Sequence, residues 1–116
     1  MLKIPPILHH DVSAVITKEK KTLFQMTEVF GSVVHVMFPH LVRKNVQAFR
    51  DVLVRHRLTG SIMYAVKANK SASMLEALRG LPCGVDVSSF YELCHVLAHG
   101  FIGDAIGISG PLKDRR

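Results

Sequence analysis

A chain of 116 residues holds one ordinary globular domain of about 100 to 150 residues, or a piece of one, and is too short for two. Its 48% hydrophobic and 21% charged residues exclude wholesale disorder, and no run of roughly 18 uninterrupted apolar residues exists to span a bilayer, so no membrane partner is expected. Fifteen Lys and Arg against nine Asp and Glu leave a formal charge of +6. The cations are dispersed rather than gathered on one face, which argues against nucleic acid as a partner.

Met1-Leu2-Lys3 is followed by Pro5-Pro6 and His9-His10-Asp11, which is no secretory signal. Cys83 and Cys94 form no CxxC pair and no disulfide framework, so both read as buried small hydrophobes in a reducing, cytoplasmic compartment. Residues 1 to 16 read as an irregular lead-in around two prolines. With Thr17 as N-cap, Leu23, Met26 and Phe30 at helical spacing predict a helix over 18 to 30 that stops at Gly31. The β-branched run Ser32 to Phe38 predicts a strand buried on both faces. Val42, Val46, Phe49 and Leu53 then mark an amphipathic helix.

The beat repeats. Ser61 to Val66 predicts a second strand, and Ser73-Met74-Leu75-Glu76 is a capping box opening a helix through Leu78. Cys83 to Val87 predicts a third strand. Ser89-Phe90-Tyr91-Glu92 is a second capping box before a helix ending near Gly100, and Ala105 to Ser109 predicts a fourth strand. Strands alternating with helices predict an α/β fold with a parallel sheet. The regular beat fits a (β/α)8 TIM-type barrel, which needs about 250 residues, so the chain is expected to carry roughly its first half. The organisation expected is a lead-in and helix over 1–31 and a partial barrel over 32–116.

The most informative stretch is Tyr64-Ala65-Val66-Lys67-Ala68-Asn69-Lys70, because a lysine closing an apolar strand is an unusual placement. Strand alternation puts Met63, Ala65 and Lys67 on one face and Ile62, Tyr64 and Val66 on the other. If the larger apolar set packs on helices, Lys67 projects into the mouth of the barrel, where such folds place their chemistry. A desolvated lysine there is an amine nucleophile for a carbonyl carbon, which is Schiff-base chemistry. The pattern alone leaves open a strand that ends at Val66 with Lys67 solvated.

YAVKANKSASMLEAL at 64–78, followed by GVDVSSFYEL at 84–93 and Ser109-Gly110-Pro111-Leu112-Lys113, resembles the N-terminal barrel signature of the pyridoxal-phosphate-dependent decarboxylases of ornithine, diaminopimelate and arginine, in the alanine-racemase-like fold group. Alanine racemases continue differently after the lysine, where this chain has Lys70-Ser71-Ala72-Ser73, so decarboxylase is the better match. The resemblance implies pyridoxal 5'-phosphate as cofactor, Lys67 as its Schiff-base lysine and Asp86 as a carboxylate close to it. Asn69, Ser88 and Glu92 match supporting positions, although cap and turn duties explain Ser88, Ser89, Asn69 and Glu92 as well, and Asp86 reads equally as an ordinary strand-end residue. It further implies an amino-acid substrate and a homodimer for the full-length enzyme. The family's phosphate loop, its glutamate for the pyridine nitrogen and its C-terminal domain would lie beyond residue 116.

Three other readings compete. A catalytically inactive decarboxylase-like fragment with a binding or regulatory role is compatible with a retained lysine. His95 and His99 lie at i, i+4 as in HExxH zinc sites, but Val96-Leu97-Ala98 between them supplies no glutamate, so no metal is expected. Lys18-Glu19-Lys20-Lys21 lacks the aromatic interleaving of a nucleic-acid surface.

Overall fold

The computed structural model describes residues 7–31 and 33–110. Contacts divide the chain into two compact units, Met1–Phe38 and Pro39–Arg116. In the first, α1 (His10–Lys18) and α2 (Lys20–Phe30) follow one another. The expected lead-in is therefore partly helical. His9 starts α1, its ring Nδ1 accepting the Asp11 N–H at 3.2 Å, and Thr17 is an interior residue whose hydroxyl donates to the Ser13 carbonyl rather than an N-cap. The chain breaks at Glu19, and α2 ends at Gly31, whose φ of 98° suits a residue without Cβ.

No strand forms over the described part of 32–38. A strand needs a ladder partner, and β propensity records fit to a half-buried surface rather than a backbone preference. Here Val34, Val36 and Phe38 instead line an apolar groove of about 270 Å³ with Val15, Ile16, Leu23 and Thr27. The apolar run visible in the sequence packs in part on helices instead of in a sheet.

The second unit opens with α3 (Pro39–Arg55), where proline is favoured at a first turn that has no use for its missing N–H. A parallel sheet in the order β1-β2-β3 follows, made of β1 (Met63–Ala65), β2 (Gly84–Val87) and β3 (Ile106–Ile108). The crossovers are α4 (Ala72–Leu78) and α5 (Phe90–Ala98). This is an α/β fold, and it corresponds to the start of a βα barrel with three of the four expected strands among the described residues. Ser71 rather than Ser73 stands at the N-cap of α4, and its hydroxyl bonds the Ser73 hydroxyl at 2.8 Å.

One face of the sheet is the core. Val66, Val85 and Val87 meet Leu75 and Leu78 of α4, Val96 of α5, Val46 of α3 and Phe101, with Ile62, Tyr64 and Ile106 packed against them. Burying such side chains stabilises each by about 1.5–3 kcal/mol relative to exposure. Phe49, expected on the buried face of α3, is 66% exposed, since Val42 and Val46 already fill that contact. Cys94, expected to be buried, is exposed on α5, and Cys83 is half-buried; both are free thiols. Residues 111–116, including the Lys113 turn, lie outside the described residues.

Candidate functional site

The other face of the sheet carries small and polar groups. Ala65 of β1 registers with Asp86 of β2, which registers with Gly107 of β3. Met63 lies across this face: a Cβ on Gly84 would sit 2.6 Å from its sulfur and 2.7 Å from the Ala105 carbonyl, and one on Gly107 would sit 3.0 Å from its terminal methyl and 3.3 Å from Asp86 Oδ1. The two glycines therefore keep this face low. One step further toward the strand ends, the Ser109 N–H donates to the Val87 carbonyl at 3.0 Å, and the Ser109 hydroxyl donates to Asp86 Oδ2. Asp86 thus has a fixed carboxylate on the face opposite the core.

Lys67 sits in a single 3-10 turn, Val66–Ala68, directly after β1. The strand closes at Ala65, two residues before the lysine, and Lys67 is exposed rather than desolvated at a strand end. The turn is held from both sides. Val66 is fully buried beneath it, and the Asn69 N–H donates to the Val66 carbonyl at 3.1 Å. The Tyr64 hydroxyl donates to the Asn69 carbonyl at 3.0 Å, and Asn69 Oδ1 accepts the Ser71 N–H at 3.0 Å. Burial pushes the Tyr64 phenol above its ordinary value, so it remains a donor at neutral pH. Asn69 orders the lysine turn by satisfying backbone groups.

Glu92 opens α5 from a buried position, 4% exposed. Its N–H donates to the Ser89 hydroxyl at 3.3 Å, the capping arrangement. Its carboxylate reaches back, Oε2 accepting the Ser88 N–H at 2.8 Å while Oε1 pairs with Lys70 Nζ at 3.0 Å. The Ser88 N–H bond and the Lys70 ammonium hold this carboxyl below the usual glutamate range despite burial, with a smaller contribution from the charge of Lys67. The Ser88 hydroxyl, also at this end of the sheet, is buried with no hydrogen-bond partner.

Residues 40–116 match the family model described as the pyridoxal-dependent decarboxylase, pyridoxal binding domain. The chain belongs to this family. It is 36% identical over 110 residues to an uncharacterised protein, y4yA, of Sinorhizobium fredii, a match covering 95% of this chain and 24% of that protein. It is 33% identical over 97 residues to a diaminopimelate decarboxylase of Pseudomonas fluorescens, covering 84% of this chain and 23% of the relative. With a diaminopimelate decarboxylase of Bacillus subtilis it shares 28% identity over 90 residues, 78% of this chain and 20% of the relative. The chain thus spans about a quarter or less of the length of these relatives.

The family's cofactor is pyridoxal, and the residues present fit its aldehyde-bearing end. The amine of Lys67 is accessible, the Asp86 carboxylate is held on the uncovered face, and the Ser88 hydroxyl is a buried donor without a partner. Among the described residues no group of three or more His, Cys, Asp or Glu is placed to hold a metal, and no helix is long and apolar enough to cross a membrane. The ring N–H groups of His95 and His99 are directed at carbonyls, His95 Nε2 donating to Lys70 at 2.9 Å and His99 Nδ1 to His95 at 2.8 Å.

Two residues of this site were not singled out by sequence reasoning. Ser109 shares a strand face with Gly107 by simple alternation, so pairing the strands in register would have brought it to Asp86. Lys70 carried no periodic signal, because its partner Glu92 is distant in sequence and belongs to another turn.

Proposed function

We propose that this chain supplies the cofactor lysine of a pyridoxal-phosphate-dependent decarboxylase acting on a diaminopimelate-, ornithine- or arginine-like amino acid. The observation that carries the reading is the placement of Lys67 in an ordered, exposed turn at the C-terminal end of β1, beside a sheet face on which Asp86 is already oriented. The C-terminal end of the strands is where βα barrels hold their reacting groups. Two relatives being diaminopimelate decarboxylases makes that diamino acid the first substrate to test.

In this reading Lys67 would hold pyridoxal phosphate through its Nζ, the exposed turn leaving that amine accessible to the cofactor's aldehyde end. Asp86, whose carboxylate the Ser109 hydroxyl keeps oriented on the open face, would stabilise positive charge on the held group, and the unpartnered Ser88 hydroxyl would be a donor available to it. When bound, pyridoxal phosphate supplies a ring that takes up the electron pair left as carbon dioxide departs. Groups that anchor the phosphate and grip the substrate's distal end belong to the rest of the enzyme, a homodimer in this proposal.

A second reading is a decarboxylase-like protein that has lost turnover and serves as a binding or regulatory partner; the solvent-exposed setting of Lys67 favours it to the extent that nothing here desolvates the amine. Carbon dioxide release from the three amino acids by the full-length enzyme that carries this segment, measured with and without pyridoxal phosphate and with a Lys67→Ala control, separates the two. Release that requires both the cofactor and Lys67 supports the first reading. Cofactor uptake without release supports the second.

A further inference from the structure

Glu92 is the one deeply buried charged side chain among the described residues, and both oxygens of its carboxylate are engaged. Ser88 N–H holds Oε2 and Lys70 Nζ holds Oε1. Lys70 follows Lys67 by three residues, and Lys67 itself lies within Coulombic range of the same carboxylate. Two ammonium groups three residues apart therefore act on one buried anion, and the 3.0 Å contact belongs to Lys70. Other groups around the turn are accounted for. Asp86 on β2 takes the Ser109 hydroxyl, Tyr64 on β1 takes the Asn69 carbonyl, and His95 on α5 donates to the carbonyl of Lys70 itself, which fixes the backbone from which the Lys70 side chain departs.

We propose that Lys70 is a positioning residue that occupies the Glu92 carboxylate and so keeps Lys67 available as an amine nucleophile. The physical reason is competition. A buried carboxylate stripped of its cation is costly and draws in the nearest replacement. In this proposal Lys67, whose charge already acts on the same carboxylate, is that replacement, and an ammonium paired with a buried carboxylate holds its proton more tightly and is less often the free amine that reacts with an aldehyde. Lys70 serves well as the permanent partner because its side chain is 62% exposed, so its own charge is hydrated while its tip closes the anion. The proposal rests on Lys67 being the cofactor lysine for its consequence in catalysis, although the electrostatic competition itself does not.

The test is the pH profile of Lys67 modification in the 116-residue chain, read by a small amine-directed acetylating reagent with peptide mapping, so that no cofactor is needed. In Lys70→Met the Lys67 profile is expected to move to higher pH by about one unit, a roughly tenfold slower reaction at neutral pH, while Lys70→Arg keeps the original profile. In Glu92→Gln the profile is expected to move the opposite way, because Lys70 then faces Lys67 as an uncompensated like charge. The double variant Lys70→Met with Glu92→Gln removes both charges and restores the original profile. An unchanged Lys67 profile in Lys70→Met overturns the proposal; should that variant fail to fold, an unchanged profile in Glu92→Gln overturns it instead. Failure of pyridoxal phosphate to label Lys67 at any pH sinks the functional reading and leaves these profile shifts untouched, so the two outcomes are separable.

Discussion

At the scale of single residues, the ionised Glu92 is the group whose protonation should matter most to stability. Its carboxyl is held below the usual range first by the Ser88 N–H and then by Lys70. A group whose folded-state value is depressed contributes stability that is complete above its unfolded value, about 4.3 for glutamate, and is lost as pH falls through the lower folded value. Denaturant melts taken downward from neutral pH are expected to lose midpoint across that acidic window, and Glu92→Gln to flatten the loss; an equal acid loss in the variant would contradict the assignment. Ser109 offers a second residue-scale prediction. Removing its hydroxyl leaves the Asp86 carboxylate without its orienting donor, and Ser109→Ala is expected to weaken pyridoxal phosphate binding roughly tenfold, the lower end for a hydrogen bond to a charged group. Equilibrium titration of cofactor absorbance checks it. The placement of Lys67 just after one strand and of Asp86 within the next was legible in the sequence from their motif. Lys70 was not, since nothing local distinguishes an ion-paired lysine from a solvated one.

At the scale of elements, close approach rather than propensity decides what the sheet tolerates. A Cβ on Gly84 meets both the Met63 sulfur and the Ala105 carbonyl oxygen at under 3 Å, and the carbonyl cannot swing away as a flexible side chain can. Gly84→Ala is therefore expected to cost about 1–3 kcal/mol, and Gly107→Ala, whose tightest contacts are the flexible end of Met63 and an aspartate oxygen, with the Val85 carbonyl at an ordinary 3.8 Å, less. Thermal and denaturant melts of the two variants give the order; a reversed order would contradict the packing described. In the core, Leu75→Ala removes a fully buried side chain and is expected to cost about 2–5 kcal/mol. The elements of the second unit were readable because β2, α5 and β3 have clear boundaries: the Ser89 cap with Glu92, the stop at Gly100 with φ of 81°, and short apolar runs. The first unit was misread over 10–17 and over the described residues 33–38. A histidine N-cap is not among the strong start signals, and a short β-branched apolar run does not declare whether its partner is a strand or a pair of helices.

At the scale of the whole molecule, the three-stranded sheet has β1 and β3 as its outer strands, and edge strands invite pairing with other chains. Large apolar side chains such as Phe90 and Ile102 are also exposed in the second unit. The purified 116-residue chain is expected to self-associate at micromolar concentration, which sedimentation velocity will show; a single monomeric species that melts cooperatively would contradict it. The family was legible from two linked motifs, whereas substrate choice was not, because the groups that select among diamino acids and arginine fall outside what these motifs describe. The central claim is that Lys67 is the cofactor lysine, and its most direct test is borohydride reduction of the chain mixed with pyridoxal phosphate, followed by peptide mapping. Adduct concentrated on Lys67, and lost in Lys67→Ala without appearing elsewhere, is the predicted result. Labelling spread over many lysines at the level seen in unfolded chain would contradict it.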